Sequence, residues 1–153
     1  LNKDYPIKVV QQTSNDNIEN LRNFYNCNKI ENKIFNFEKN FINLIEESDL
    51  CITRAGATSL AEISILNKPF ITIPLPSAKD NHQMDNAKFY EEAGGCWIIN
   101  QNEFSEEIFT NLLLKIVTNK SEYNNKKKCL KKLNYQNSWN DINHKINKII
   151  DEN

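Results

Sequence analysis

The sequence predicts an α/β fold, a Rossmann-like parallel sheet with flanking helices. Three observations predict it. Short apolar runs alternate with stretches of helical periodicity along the chain. Runs such as Leu50–Thr53 and Phe70–Ile73 are short and apolar throughout, the pattern of parallel strands buried on both faces. Two of the runs lead into a turn and then a helix start, around Gly56 and around Asp80–Ala87.

The elements follow in order. Ile7–Gln12 reads as the first strand. Ser14 can cap a helix to about Tyr25, with Ile18, Leu21 and Phe24–Tyr25 on one face. Lys33–Phe37 is the second strand, and Phe41, Leu44 and Ile45 mark a short helix. Leu50–Thr53 is the third strand, and a helix from about Ser59 to Leu66 ends at Asn67-Lys-Pro69. Phe70–Ile73 is the fourth. A helix from about Asn81 to Glu92 closes at Gly94, which suits a C-terminal cap. Cys96–Ile99 is the fifth strand. Ser105 opens a helix with Glu106 and Glu107 in its first turn, favourable for the helix dipole. From Ser121 to Asn153 the chain is helical and more polar, with Trp139, Ile142, Ile146, Ile149 and Ile150 spaced as one stripe.

At 153 residues the chain suits one domain with a real core. A net charge of −1 gives no global reason to expect nucleic acid. No apolar run is long enough to span a membrane, and the start lacks a signal peptide. Cys27, Cys51, Cys96 and Cys129 have no metal-site spacing and read as buried free thiols of a reducing cytoplasm. The chain starts at Leu1 rather than Met, and no Gly-rich turn follows its first strand. A doubly wound domain usually begins with such a turn, so the first βα unit is expected to be missing.

Ligands of open α/β sheets sit beyond the carboxyl ends of the strands, where helix N-termini point. Gly56, between Ala55 and Ala57, lets a backbone approach a ligand closely. Thr58 and Ser59 add hydroxyls and free N–H groups at a helix start, which suits a diphosphate. Glu62 can accept from two ribose hydroxyls. Ser59-x-x-Glu62 is equally a capping box. Arg54 can pair with a phosphate or serve the strand end. Gln83 and Asn86 share a helix face, and their amides can read sugar hydroxyls. Asp80 as N-cap with Gln83 at N3 is the structural alternative. His82 reads as a capping or surface residue before a catalytic one. The Lys126–Lys128, Lys131 and Lys132 cluster reads as a solvated face, with attraction to an anionic membrane surface as the alternative.

Taken together, the runs from Ser48 to Ile63 (SDLCITRAGATSLAEI), Asn67 to Pro76 (NKPFITIPLP), Asp80 to Ala87 (DNHQMDNA) and Glu91 to Gly95 (EEAGG) resemble the C-terminal domain of MurG-type glycosyltransferases. These are two-domain GT-B enzymes that transfer N-acetylglucosamine from a UDP donor to undecaprenyl-diphospho-muramoyl-pentapeptide in peptidoglycan synthesis. The resemblance implies a donor-binding half of an inverting transferase, inactive alone. It implies that residues 1–120 bind UDP-N-acetylglucosamine and that 121–153 form a tail packing back on an N-terminal domain.

By the same resemblance, Phe37 and the Glu38 backbone lie near the uracil. Arg54, Gly56 and Ala57 form the family's turn, Thr58 and Ser59 flank the diphosphate, and Glu62 holds the ribose. Gln83 and Asn86 hold the sugar, with the polar His82 beside them. No catalytic residue is expected in this chain, because the general base and the lipid-linked acceptor's site belong to the N-terminal domain. No metal and no cofactor are implied. The implied location is cytoplasmic, peripheral on the inner face of the bacterial plasma membrane. Rival readings are a single-domain transferase subunit needing a membrane partner, a UDP-sugar hydrolase, and a non-catalytic UDP-sugar-binding module.

Overall fold

A computed structural model of the chain describes residues 5–78, 81–136 and 148. The chain divides into two compact units after Leu44.

The first unit is a βαβ element. Strand β1 (Lys8–Gln12) leads into helix α1 (Asn15–Cys27) and then β2 (Glu31–Phe35). The two strands pair in parallel, from Lys8 opposite Glu31 to Gln12 opposite Phe35. The second strand therefore lies two residues earlier than the sequence predicts and leaves Phe37 in the loop beyond it. Ser14 is the N-cap of α1, but its hydroxyl accepts from the Asn17 side chain rather than from a backbone N–H. Of the predicted α1 face, Ile18, Leu21 and Tyr25 turn inward and the Tyr25 hydroxyl donates to Gln11 Oε1 at 2.7 Å. Phe24 is 60% exposed, so the aromatic pair straddles the edge of that face. Lys29, at φ 56°, ends the helix in the left-handed region where glycine is usual.

Helix α2 (Phe41–Glu47) crosses the division between the units. The second unit continues with β3 (Cys51–Thr53), α3 (Ala57–Ile65), β4 (Phe70–Thr72), α4 (His82–Glu92), β5 (Cys96–Ile98), a 3₁₀ turn at Gln101–Glu103, α5 (Glu106–Thr118) and α6 (Lys120–Gln136). Its strands pair in parallel in the order β3-β4-β5. Successive strand residues enter opposite layers, because side chains alternate across a strand. Phe70 and Cys96 pack with Ala55, Leu60, Ile63, Ala87 and Leu130. Ile71 and Trp97 pack with Ile99 and Ile116, over Phe109, Leu112 and Leu113 of α5. Both faces of the central strand β4 are thus covered, which is why it is apolar but for the buried Thr72, while Ile52 of β3 is half exposed.

Two glycines fix how α4 returns to the sheet. Gly94, at φ 77°, donates to Glu91 O, and Gly95 donates to Tyr90 O. This paired closure is the cap expected at Gly94. A Cβ on Gly95 would stand 2.4 Å from Leu130 Cδ2, so α6 packs onto the turn only because that side chain is absent. Asn134 of α6 holds the far end of α3, donating to Ser64 O at 2.6 Å. The Trp139–Ile150 stripe and His144 lie outside the described residues.

All four cysteines are free thiols. Cys96 is 1% exposed, and burial pushes its thiol up to about 12. Cys27 is exposed, contrary to the expectation that all four are buried. Its place in the last turn of α1 leaves it on a face that nothing in its own unit covers.

Candidate functional site

The site is built from the loops at the carboxyl ends of β3 and β4. After Thr53 the chain turns through Arg54, Ala55 and Gly56 and enters α3. Ala55 is fully buried and anchors the turn in the core. Gly56 is the N-cap, at φ −69° and ψ 131°. The capping-box reading of Ser59 and Glu62 is therefore overturned: Ser59 is already the third residue of the helix. Its hydroxyl stands inside the first turn, where it cannot act as N-cap.

Because the N-cap is glycine, no side chain caps α3. The N–H groups of Ala57, Thr58 and Ser59 open the helix on residues exposed to solvent. A helix start in this state presents aligned donors and the positive end of the helix dipole. By contrast, Ser105 caps α5 by accepting from Ile108 N at 3.1 Å. Glu62 is half-buried and lies three and four residues after Ser59 and Thr58, so the three share one side of α3. Its carboxylate has no hydrogen bond or ion pair among the described residues.

A Cβ added to Gly56 would meet nothing nearer than Ser59 Oγ at 3.9 Å. Among the described residues, neither backbone angle nor crowding requires glycine here, and none of them closes the space in front of the turn.

Arg54 is exposed and spans the three strand ends. Its Nη1 donates to Ile73 O at 3.0 Å and to Gln101 Oε1 at 2.6 Å. The structural alternative for this residue is thus realised, while neither bond uses Nη2 or Nε.

Helix α4 supplies the second half of the site. Its N-cap is Asn81, at φ 56°, and its first residue is His82, which is exposed. The expected N-cap, Asp80, lies outside the described residues. Gln83 accepts from Leu75 N at 2.9 Å, which fixes the loop after β4. Asn86 donates through Nδ2 to Ala55 O at 3.0 Å, which fixes the turn after β3. One helix therefore braces both loops.

Two clefts open beside these loops. One of about 310 Å³ is lined by Ala57, Asp85, Asn86, Phe89 and Tyr90. The other, of about 250 Å³, lies among Pro74–Pro76, Asn81, Met84 and Asn100–Glu103. Asp85, Phe89 and Gln101 were not singled out by the sequence reading. Phe89 follows Asn86 at i+3 and was legible from helical spacing. Gln101 meets Arg54 across 47 residues, and no local signal carries that contact.

Phe37 and Glu38 belong to the first unit. Phe37 is 79% exposed, with its ring open to stacking. The Glu38 carboxylate is occupied by Lys33 Nζ at 2.9 Å and by Asn40 N at 3.2 Å. The bond from Lys33, then that from Asn40, holds it below the usual carboxylate range.

Parallel strands with flanking helices, and an uncapped helix start beyond β3, define an α/β protein of the open-sheet class. The comparisons narrow the class. The chain belongs to the glycosyltransferase family 28 C-terminal domain family, which it matches over residues 1–144. It is 46% identical over its whole length to the UDP-N-acetylglucosamine–N-acetylmuramyl-(pentapeptide) pyrophosphoryl-undecaprenol N-acetylglucosamine transferase of Pelagibacter ubique (strain HTCC1062), covering 43% of that protein. The equally named protein of Wolbachia sp. subsp. Drosophila simulans (strain wRi) is 35% identical over 74% of this chain and 33% of its own length. The chain thus spans less than half of each of these relatives. Among solved structures, Acinetobacter baumannii MurG has the same fold, with a TM-score of 0.74 and 24% identity over 84% of this chain and 38% of that one. The spinosyn forosaminyltransferase SpnP shares it at a TM-score of 0.61 and 13% identity, over 95% of this chain and 43% of its own.

Proposed function

We propose that this chain is the donor-binding half of an inverting glycosyltransferase. It serves the transfer of N-acetylglucosamine from UDP-N-acetylglucosamine to a lipid-linked muramoyl-pentapeptide in peptidoglycan synthesis. The observation that carries the reading is the α3 start: N–H donors with no side-chain cap and, among the described residues, open space before Gly56 and an unpaired Glu62 on the same side. The names of the 46% and 35% identical relatives support the donor and the acceptor.

In this reading the α3 N–H groups hold the diphosphate, with Thr58 and Ser59 beside them. The donors stabilise the charge that develops on the leaving UDP as the acceptor hydroxyl displaces it at the anomeric carbon. Glu62 accepts from the ribose hydroxyls. Arg54 keeps the three strand ends in register and has Nη2 left for a phosphate oxygen. Gln83 and Asn86 meet the sugar, with His82 at its edge. The acceptor and the general base belong to an N-terminal domain. The protein works at the inner face of the bacterial plasma membrane; among the described residues no helix is long and apolar enough to cross it.

The test uses the ribose. The wild-type protein should bind UDP about tenfold or more tightly than 2′-deoxy-UDP, the worth of one charge-assisted hydrogen bond. Glu62→Ala should erase that preference with little change in thermal stability, because Glu62 caps nothing. A preference that survives Glu62→Ala removes the ribose role.

A further inference from the structure

The lysines of α6 are of two kinds. Lys126 turns inward: its Nζ donates to Cys96 O at 2.6 Å and lies 4.6 Å from the centre of the Trp97 ring. Lys120, Lys127, Lys128, Lys131 and Lys132 are exposed, and their ammonium groups have no hydrogen bond or ion pair among the described residues. The other exposed residues from 120 to 132 are Ser121, Asn124 and Asn125. At about 3.6 residues per turn these positions share one side of the helix, opposite Tyr123, Cys129 and Leu130. The only acid of α6, Glu122, is occupied by Trp97 Nε1 and Lys115. Five positive charges thus lie along about 18 Å of helix with no carboxylate on that side. The whole chain carries a net charge of −1, so this excess is local. It does not serve the helix, because Lys127–Lys131 and Lys128–Lys132 are like-charge pairs four residues apart, which weaken one.

We propose that the lysine face of α6 is a docking surface for an anionic lipid bilayer. A flat row of ammonium groups attracts a negatively charged surface over a Debye length without reading its chemistry. The face carries no apolar side chain to seat a peptide and no aromatic ring or arginine to read bases. Only the choice of lipid over another polyanion draws on the reading above, in which the acceptor is lipid-linked. The surface is remote from the donor loops. Tyr123 of α6 donates to Asp49 O and Lys126 to Cys96 O, at the amino ends of β3 and β5, whereas the α3 turn lies beyond their carboxyl ends. Lipid and UDP therefore bind without competing.

Cosedimentation with vesicles of phosphatidylcholine, alone or mixed with phosphatidylglycerol, tests this. The wild-type protein should bind the anionic vesicles, bind the neutral ones far less, and release as salt is raised. One lysine near an anionic surface is worth about a fivefold partition factor. The double variant Lys128→Gln, Lys131→Gln should therefore lose about 25-fold, with its thermal midpoint and UDP affinity unchanged. Arg22→Gln with Lys88→Gln removes the same charge from exposed residues elsewhere and should lose less than about threefold. Equal losses in the two double variants would overturn the docking face, as would equal binding to neutral and anionic vesicles. Tighter binding to double-stranded DNA than to anionic vesicles would overturn it as well, making the face a nucleic-acid contact. Vesicle binding without UDP binding would remove the donor reading and leave this face standing. UDP binding without vesicle binding would do the reverse.

Discussion

Replacing Gly56 with alanine separates a glycine kept for the fold from one kept for a ligand. The residue sits at φ −69° and ψ 131°, angles open to any L-residue. The new methyl would meet Ser59 Oγ at 3.9 Å, an ordinary contact. Alanine restricts the unfolded chain and should stabilise by roughly 0.4–1 kcal/mol at a compatible position. It is also a poorer N-cap than glycine, at a cost of about 0.5–1 kcal/mol. These nearly cancel, so the midpoint of thermal unfolding should move by no more than about 4 °C in either direction. Binding should respond differently. A diphosphate against the α3 start would take hydrogen bonds from N–H groups next to the added methyl, each worth about 1.5–3 kcal/mol when the acceptor is charged. Loss of one such bond weakens UDP about 10- to 100-fold. Calorimetric titration with UDP alongside thermal unfolding measures both. Unchanged UDP affinity in Gly56→Ala would refute the close approach, and a large loss of stability would mean that the turn needs glycine for itself.

Two further outcomes probe the frame behind the site. Gly95→Ala should destabilise by about 1–3 kcal/mol, because the Leu130 side chain that it would strike is fully buried and has no room to yield; denaturant unfolding measures this, and a neutral result would mean that α6 can shift. Glu122 accepts from Trp97 Nε1 at 2.9 Å and pairs with Lys115, and these bonds, the one from Trp97 first, hold its carboxyl below the ordinary range. A depressed carboxylate contributes stability that is full above the ordinary carboxylate pKa and is lost as pH falls through the depressed value. The stability gap between wild type and Glu122→Gln should therefore close as pH falls from neutrality into that acid window, and a gap constant with pH would contradict the assignment.

Strands β4 and β5 were legible because they are largely buried on both faces, which leaves an apolar run that short-range pattern reading detects. Helix boundaries were less so where several residues compete for a cap. Ser59 is a better cap former than Gly56 in isolation, yet the burial of Ala55 sets the turn three residues earlier and puts the Thr58 and Ser59 hydroxyls inside the helix. Gly94 was readable as a cap, but the role of Gly95 was not, since the atom that excludes a side chain there belongs to Leu130, far along the chain. The amides of Gln83 and Asn86 were legible as a pair on one helix face. That each also ties down a loop was not, because Leu75 and Ala55 offer backbone groups that every residue carries. Arg54 was left open between two roles for the same reason: its partners, Ile73 O and Gln101, meet it only in the folded chain.

The central claim is that this chain holds a uridine-diphosphate sugar. Calorimetric titration of the protein with UDP-N-acetylglucosamine, UDP and GDP tests it most directly. The account predicts binding of both uridine ligands, tighter for the sugar nucleotide, with GDP at least about tenfold weaker, the worth of the base contacts it forgoes. Equal binding of GDP and UDP, or no binding of any of the three, would contradict it.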